Sequence, residues 1–315
     1  MILAGDIGGT NTRLALFNPD LKIEKKYLSK NYNGLLEILQ EFLNEQKVIV
    51  NKACFGVAGP VRDGVCRATN LPWVVDAKNI AQEMKIPKVS LLNDLEANAY
   101  GLSVLKPNEL FLLNQGEAQI GNRALISAGT GLGEAGLYWD GKKHRPFACE
   151  GGHSDFAPRS DEEVALFLFL KKKFGHVSYE RVLSGPGLHS IYEFLVETGK
   201  IGADPEVLSA KDPASAISRL SLENRRGCIE TVDRFLSIYG AEAGNLALKF
   251  LSLGGLYIGG GIAPRLLKRM QEGSFVHSFC DKGRFKELLS SIPIYVVMND
   301  NAALLGAASF ARESD

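Results

Sequence analysis

Gly5-Asp6-Ile7-Gly8-Gly9-Thr10 sets a carboxylate, two adjacent glycines and a hydroxyl directly after the apolar run Met1–Ala4. Glycine lacks a Cβ, so such a turn can bring backbone N–H groups close to an anion such as a phosphate. Thr10 adds a hydrogen-bond donor, and Asp6 can hold a magnesium ion through its water shell. Gly-Gly is equally ordinary hairpin chemistry, and this segment alone does not separate a phosphate cradle from a bare turn.

Gly129-Thr130-Gly131-Leu132-Gly133 is a second cradle of the same make, with the same hairpin alternative. Residues 131–136 also spell GxGxxG. A dinucleotide turn must open a helix, however, and here the chain runs on as a strand into Asp140-Gly141. No GxxxxGK[ST] occurs. Gly259-Gly260-Gly261 ends an apolar run, where backbone can lie flat against adenosine or simply pack tightly against a strand.

Asn93-Asp94 stands where a strand gives way to a helix. Asp94 suits an N-cap, and equally a general base for a hydroxyl at the C-terminal end of a strand. Asp300 occupies the matching place later in the chain. Glu150-Gly151-Gly152-His153-Ser154-Asp155 gathers carboxylates and an imidazole within a few residues. No third and fourth ligand follows at a metal spacing, whereas donors and acceptors so placed suit the hydroxyls of a sugar. Glu180 offers a further carboxylate, or a surface ion-pair partner.

Apolar patterning supplies the elements that must position these groups. Strands are expected at residues 1–6, 13–17 and 21–28, then a helix near 34–46, a strand at 53–57, a helix at 76–85, a strand at 89–92 and a helix at 94–102. This β-β-β-α-β-α-β-α order then recurs in stretched form. Strands are expected at 123–128, 134–139 and 142–149, and later at 256–259 and 294–298, with helices from Pro264 and Asp300. Local echoes support a duplication: Leu91-Leu92-Asn93-Asp94 against Val297-Met298-Asn299-Asp300, and Phe55-Gly56-Val57-Ala58-Gly59 against Tyr257-Ile258-Gly259-Gly260-Gly261. Residues 150–253 read as a mostly helical insertion, with Ser160-Asp161-Glu162-Glu163 as a capping box. The expected architecture is therefore α/β, two related halves facing a cleft.

At 315 residues the chain exceeds the usual span of a single core. Lys+Arg and Asp+Glu balance at 36 each, which gives no support for a nucleic-acid or anionic-membrane partner. No apolar run reaches transmembrane length, and nothing before Asp6 is long enough for a signal peptide. The five scattered cysteines lack CxxC spacing and are expected to be reduced thiols of a cytoplasmic protein.

Taken in order, Gly5-Asp6-Ile7-Gly8-Gly9-Thr10-Asn11, Ala58-Gly59-Pro60-Val61, Thr69-Asn70-Leu71-Pro72-Trp73, Asn93-Asp94, Gly129–Gly133, Glu150-Gly151-Gly152-His153, Glu180–Gly185 and Gly259–Gly261 resemble the bacterial glucokinase family. That family belongs to the sugar-kinase/Hsp70/actin superfamily, and the likeness covers nearly the whole chain. It implies a duplicated ribonuclease H-like fold, with residues 1–104 plus 295–315 as a smaller α/β domain and 105–294 as a larger one carrying the helical insertion. It also implies transfer of phosphate from Mg·ATP to the 6-hydroxyl of glucose, by a homodimer. By the same resemblance Asp94 is the base, and Asn70, Asn93, Asp94, Glu150, His153 and Glu180 bind substrate. Gly5, Asp6, Ile7, Gly8, Gly9, Thr10, Thr130, Gly131 and Gly260 hold the nucleotide, and Asp6 the magnesium through water. Asp300 then reads as a relic of duplication or a cap. Related ROK kinases follow their histidine with a cysteine-rich zinc loop; Ser154-Asp155-Phe156-Ala157-Pro158-Arg159 stands here instead, so no structural zinc is expected. Competing readings are a kinase for mannose, fructose or an amino sugar, and a sugar-sensing regulator. The latter would carry a DNA-binding segment ahead of the phosphate turn, which here begins at residue 5.

Overall fold

The computed structural model describes residues 1–68, 71–117 and 119–314. They form two compact units: Met1–Glu109 with Arg145–Ala148 and Asn299–Asp315, and Leu110–His144 with Cys149–Met298.

The first unit opens with β1 (Ile2–Ile7), β2 (Asn11–Phe17) and β3 (Leu21–Leu28), followed by α1 (Leu35–Gln46) and β4 (Lys52–Val57). β5 (Val61–Arg62), β6 (Val65–Arg67) and β7 (Val74–Asp76) form a small separate antiparallel sheet, which the sequence reading missed because strands this short carry no alternation. α2 (Ala77–Met84), β8 (Lys88–Asn93) and α3 (Asp94–Leu102) complete this stretch. The main sheet runs β3-β2-β1-β4-β8, with β1, β4 and β8 parallel. β4 is buried from Ala53 to Val57, as befits a parallel strand covered on both faces. Leu35, Ile38, Leu39 and Phe42 of α1 cover one of those faces.

The second unit contains β9 (Leu110–Asn114), β10 (Arg123–Ala128), β11 (Leu132–Trp139) and the strand β12 (His144–Cys149). The expected helical insertion follows as α4 (Asp161–Phe174), α5 (Gly185–Glu197), α6 (Pro205–Ser209), α7 (Pro213–Leu222) and α8 (Arg226–Phe250). Then come β13 (Leu256–Gly259), α9 (Ile262–Met270), α10 (Ser274–Cys280), α11 (Lys286–Ser290) and β14 (Ile294–Val297). β11-β10-β13-β14 repeats the order and directions of β2-β1-β4-β8. β9 adds an antiparallel strand beside β14. Ser160 accepts from the Glu163 N–H as α4's cap, whereas the Glu163 carboxylate turns to the Arg159 N–H, so the expected capping box is half made.

The chain returns to the first unit as α12 (Ala302–Glu313), which packs on α3, β1 and β4. The seam is lined by small residues. A Cβ on Gly101 would strike the Ala302 backbone, and one on Gly306 would strike the Ala97 carbonyl. Ala97, Ala303, Leu304, Ala307 and Ala308 fill the rest. That close contact fixes the helix whose first residue is Asp94.

Candidate active site

In the first unit, Ile7 pairs with Thr12, so Gly8–Thr10 is a hairpin turn in its backbone. The Gly8 N–H donates to the Asn11 carbonyl at 2.9 Å, and Ser29 braces the turn through the Gly8 and Thr10 carbonyls. Thr10 stands exposed at the tip. Gly5 is required by the neighbouring strand, since a Cβ there would collide with the Phe55 ring.

Arg13, which sequence reasoning did not single out, occupies the middle of this region. Its Nε and Nη2 donate to Asp6 Oδ2 at 3.2 and 2.9 Å, its Nη1 to Asn301 Oδ1 at 2.8 Å, and its Nη2 also to the Asp300 carbonyl at 2.6 Å. Burial pushes the Asp6 carboxyl above the ordinary carboxylate range, and Arg13 opposes that shift. Both Arg13 bonds fall on Oδ2, which leaves Oδ1 to accept from a water of a magnesium shell. One carboxylate so engaged fits an outer-sphere contact rather than a direct cage, and no group of three His, Cys, Asp or Glu side chains arranged to hold a metal occurs among the described residues.

At the end of β8, Asn93 rather than Asp94 is the N-cap of α3. Its Oδ1 accepts from the Leu95 N–H at 2.9 Å and the Glu96 N–H at 3.4 Å. Its Nδ2 donates to the Gly59 carbonyl at 3.1 Å, which leaves one amide proton for a ligand. Asp94 is the first helical residue, half-buried, with Oδ1 also near the Leu95 N–H at 3.0 Å. Asp300 does not cap α12: its carboxylate pairs with Arg13 at 3.3 Å, and the helix begins after Asn301.

In the second unit the structure brings Glu150, His153 and Glu180 together. His153 Nε2 lies 4.0 Å from Glu150 Oε2, and Nδ1 lies 3.9 Å from Glu180 Oε1. Local backbone bonds explain the meeting. Residues 151–153 form one 3₁₀ turn and 179–181 another. The loop between them is stitched by Phe156 N–H to Val177 and Tyr179 N–H to Ser154, and by an Asp155–Ser178 bridge.

Glu180 also reaches the glycine turn: its Oε2 accepts from the Leu132 N–H at 3.1 Å, and a Cβ on Gly131 would collide with that carboxylate. The Gly129–Gly131 turn is a hairpin too, joined to the start of α5 by the Gly185 N–H bond to Gly129 at 2.8 Å. Thr130 is exposed at its tip, as Thr10 is at the other.

Beside this turn lies a cavity of about 650 Å³, lined among others by Gly129, Thr130, Asp212, Ser215, Gly261 and Arg265. Asp212 accepts from the Ser215 hydroxyl at 2.6 Å and its N–H at 3.1 Å, which holds its carboxyl below the usual range. Gly260, with φ +81°, is fitted against the Ala128 carbonyl, and it is the next residue, Gly261, that lines the cavity. The α7 start and Arg265 escaped the sequence reading. Their signal was an ordinary Asp-Pro helix cap in the insertion. Asn70 lies outside the described residues.

A sequence profile of the Glucokinase family matches residues 3–314. The chain belongs to the glucokinase family. A member from Synechocystis sp. is 41% identical over 348 residues, covering 99% of this chain and 98% of that protein. The crystal structure of glucokinase from an Antarctic psychrotroph is 32% identical and superposes with a TM-score of 0.85, covering 99% of both chains. Balamuthia mandrillaris glucokinase in complex with glucose shares the fold at 22% identity, with a TM-score of 0.85 over 99% of this chain and 93% of that one. The residues that carried the resemblance thus sit inside a family match that spans both units.

Proposed function

We propose that this chain transfers the γ-phosphoryl group of Mg·ATP to the 6-hydroxyl of glucose. The observation that carries the reading is the Glu180 carboxylate, held on the Leu132 amide of one glycine turn and 3.9 Å from His153. One side chain thereby links a cluster suited to sugar hydroxyls with a turn suited to phosphates. The adjoining cavity of about 650 Å³ has room for a nucleoside, which a polyphosphate donor would not use. The glucose found in the Balamuthia relative agrees with this choice of acceptor. The repeated strand order supports a duplicated ribonuclease H-like fold.

In this reading Asp94 takes the hydroxyl proton as the oxygen attacks. Asn70, Asn93, Glu150, His153 and Glu180 hold the sugar. An epimer that misplaces one hydroxyl leaves a buried polar group unpaired, at about 1–3 kcal/mol. Gly5, Asp6, Ile7, Gly8, Gly9 and Thr10, with Thr130, Gly131 and Gly260, hold the nucleotide. Magnesium arrives with ATP and neutralises developing charge on the phosphates, and Asp6 accepts from its water shell. The balanced charge is in keeping with small-molecule substrates rather than nucleic acid, and no described helix is long and apolar enough to cross a membrane. Cytoplasmic location and a homodimer complete the reading. A coupled ADP-release assay with a panel of hexoses and with ATP, ADP and polyphosphate tests it. Turnover confined to glucose with ATP is expected, and turnover of another hexose in preference, or none, overturns it.

A further inference from the structure

Behind the sugar cluster lies a buried acidic pair that the mechanism does not use. Glu134, on β11, is 1% exposed, and its Oε1 has no hydrogen-bond partner among the described residues. Its carboxyl lies directly under Gly151, where any Cβ would collide with it. Gly151 follows Glu150 and opens the 3₁₀ turn that holds His153, so whatever supports Gly151 bears on the placement of both. The second carboxylate, Glu242 of α8, is fully buried and accepts from Asn245 Nδ2 at 2.8 Å and Lys249 Nζ at 3.4 Å. Tyr179, whose hydroxyl accepts from Asn245 Nδ2 at 3.1 Å, also bonds Glu242 and immediately precedes Glu180. The network therefore underlies both sides of the His153 cluster.

We propose that Glu134 is a positioning residue of the sugar site: its carboxyl is the floor on which Gly151 rests, and it thereby sets where Glu150 and His153 stand. This inference rests on the glucokinase reading above. The floor works while it is uncharged. Burial, followed by the nearby Glu242 charge, pushes the Glu134 carboxyl up to about 8, with Lys249 opposing. The other titratable groups facing it are Cys149, which precedes the sugar loop, and Tyr239 of α8, and burial pushes both further above their ordinary values. Glu134, at about 8, changes charge between pH 7 and 9. A new charge beside Glu242 draws water toward the pair, and Gly151 lies in its way.

The test is the glucose KM of the full chain from pH 6.5 to 9.5, with the ATP KM measured alongside. Wild type is expected to raise its glucose KM at least about fivefold between pH 7 and 9, with the ATP KM moving less than twofold. E134Q, an isostere of the neutral acid, is expected to hold its glucose KM within about twofold over that range. E242Q removes the neighbouring charge and with it the repulsion that opposes ionisation of Glu134, so the midpoint of the rise is expected to move to lower pH.

 An E134Q enzyme that keeps the wild-type rise, a flat wild-type profile, or an E242Q midpoint that stays put or moves upward overturns the proposal. Wild type that leaves glucose unphosphorylated at pH 7 overturns the glucokinase reading and this one together, whereas activity at pH 7 with an unchanged E134Q profile overturns this one alone.

Discussion

Arg13 and Asp300 form an ion pair at 3.3 Å, and the same guanidinium holds Asp6 at 2.9 Å. The two acids are not equivalent: the Asp300 side chain is 90% exposed and that of Asp6 21%. Replacing Arg13 with methionine leaves Asp6 partly buried beside no cation. We expect a loss of roughly 1–3 kcal/mol in urea unfolding, less than a fully buried pair would cost. D300N should change stability by no more than about 0.5 kcal/mol, as exposed pairs do. Equal losses in the two variants would show that Arg13 does not act through Asp6.

Asn93 makes the cap of α3, one of the two alternatives the sequence offered for Asp94, and the proposal for Asp94 is the other, a general base. D94N should lower kcat about 10²- to 10⁴-fold, as loss of a general base does, with a small change in melting temperature. N93A removes the cap of α3 and should cost about 1 kcal/mol of stability. Near-normal turnover in D94N would remove it from the chemistry.

Glu180 touches both the imidazole and the glycine turn. E180Q should raise the glucose KM at least about tenfold, as loss of a charge-assisted hydrogen bond does, and the ATP KM far less. Isothermal titration of each ligand separately reads this directly, and equal weakening of both would take Glu180 out of the sugar site.

Glu134 also makes stability depend on pH, with a definite sign. Its folded value of about 8 stands above that of an unfolded glutamate. Below the unfolded value both states hold the proton and nothing is lost. As pH climbs toward 8 the unfolded chain ionises first, and stability falls by at most about 1.4 kcal/mol per pH unit. Beyond 8 the loss levels off. The stability of E134Q relative to wild type should therefore grow through that window in urea titrations, and a constant difference would contradict the assignment.

Much of this was legible in the sequence. Strong alternation and glycine turns gave β1 to β4, β10, β11 and β13 to within a residue or two, because burial of one or both faces leaves a periodic trace. The meeting of Glu150, His153 and Glu180 was expected through the family resemblance that the motif order carries, although the loop and helix of residues 154–179 lie between His153 and Glu180. Arg13, Glu134 and the Asp212–Arg265 wall were not legible. Each is an ordinary residue type in an ordinary strand or helix, and only tertiary packing decides whether it meets a carboxylate, a glycine or a cavity. Asn93 shows the converse: both residues of the pair could cap, and the backbone conformation chose.

The seam of glycines and alanines between α3 and α12 also bears on how the molecule is made. α12 leaves the ribosome after every residue of the second unit, yet it supplies the seat for the helix that begins at Asp94. Until then the first unit waits with an alanine-lined face open to solvent. Seating of Asp94 is thus coupled to synthesis of α12, and a nascent chain that stops short of Ala302 presents the Gly8–Thr10 turn without that seat.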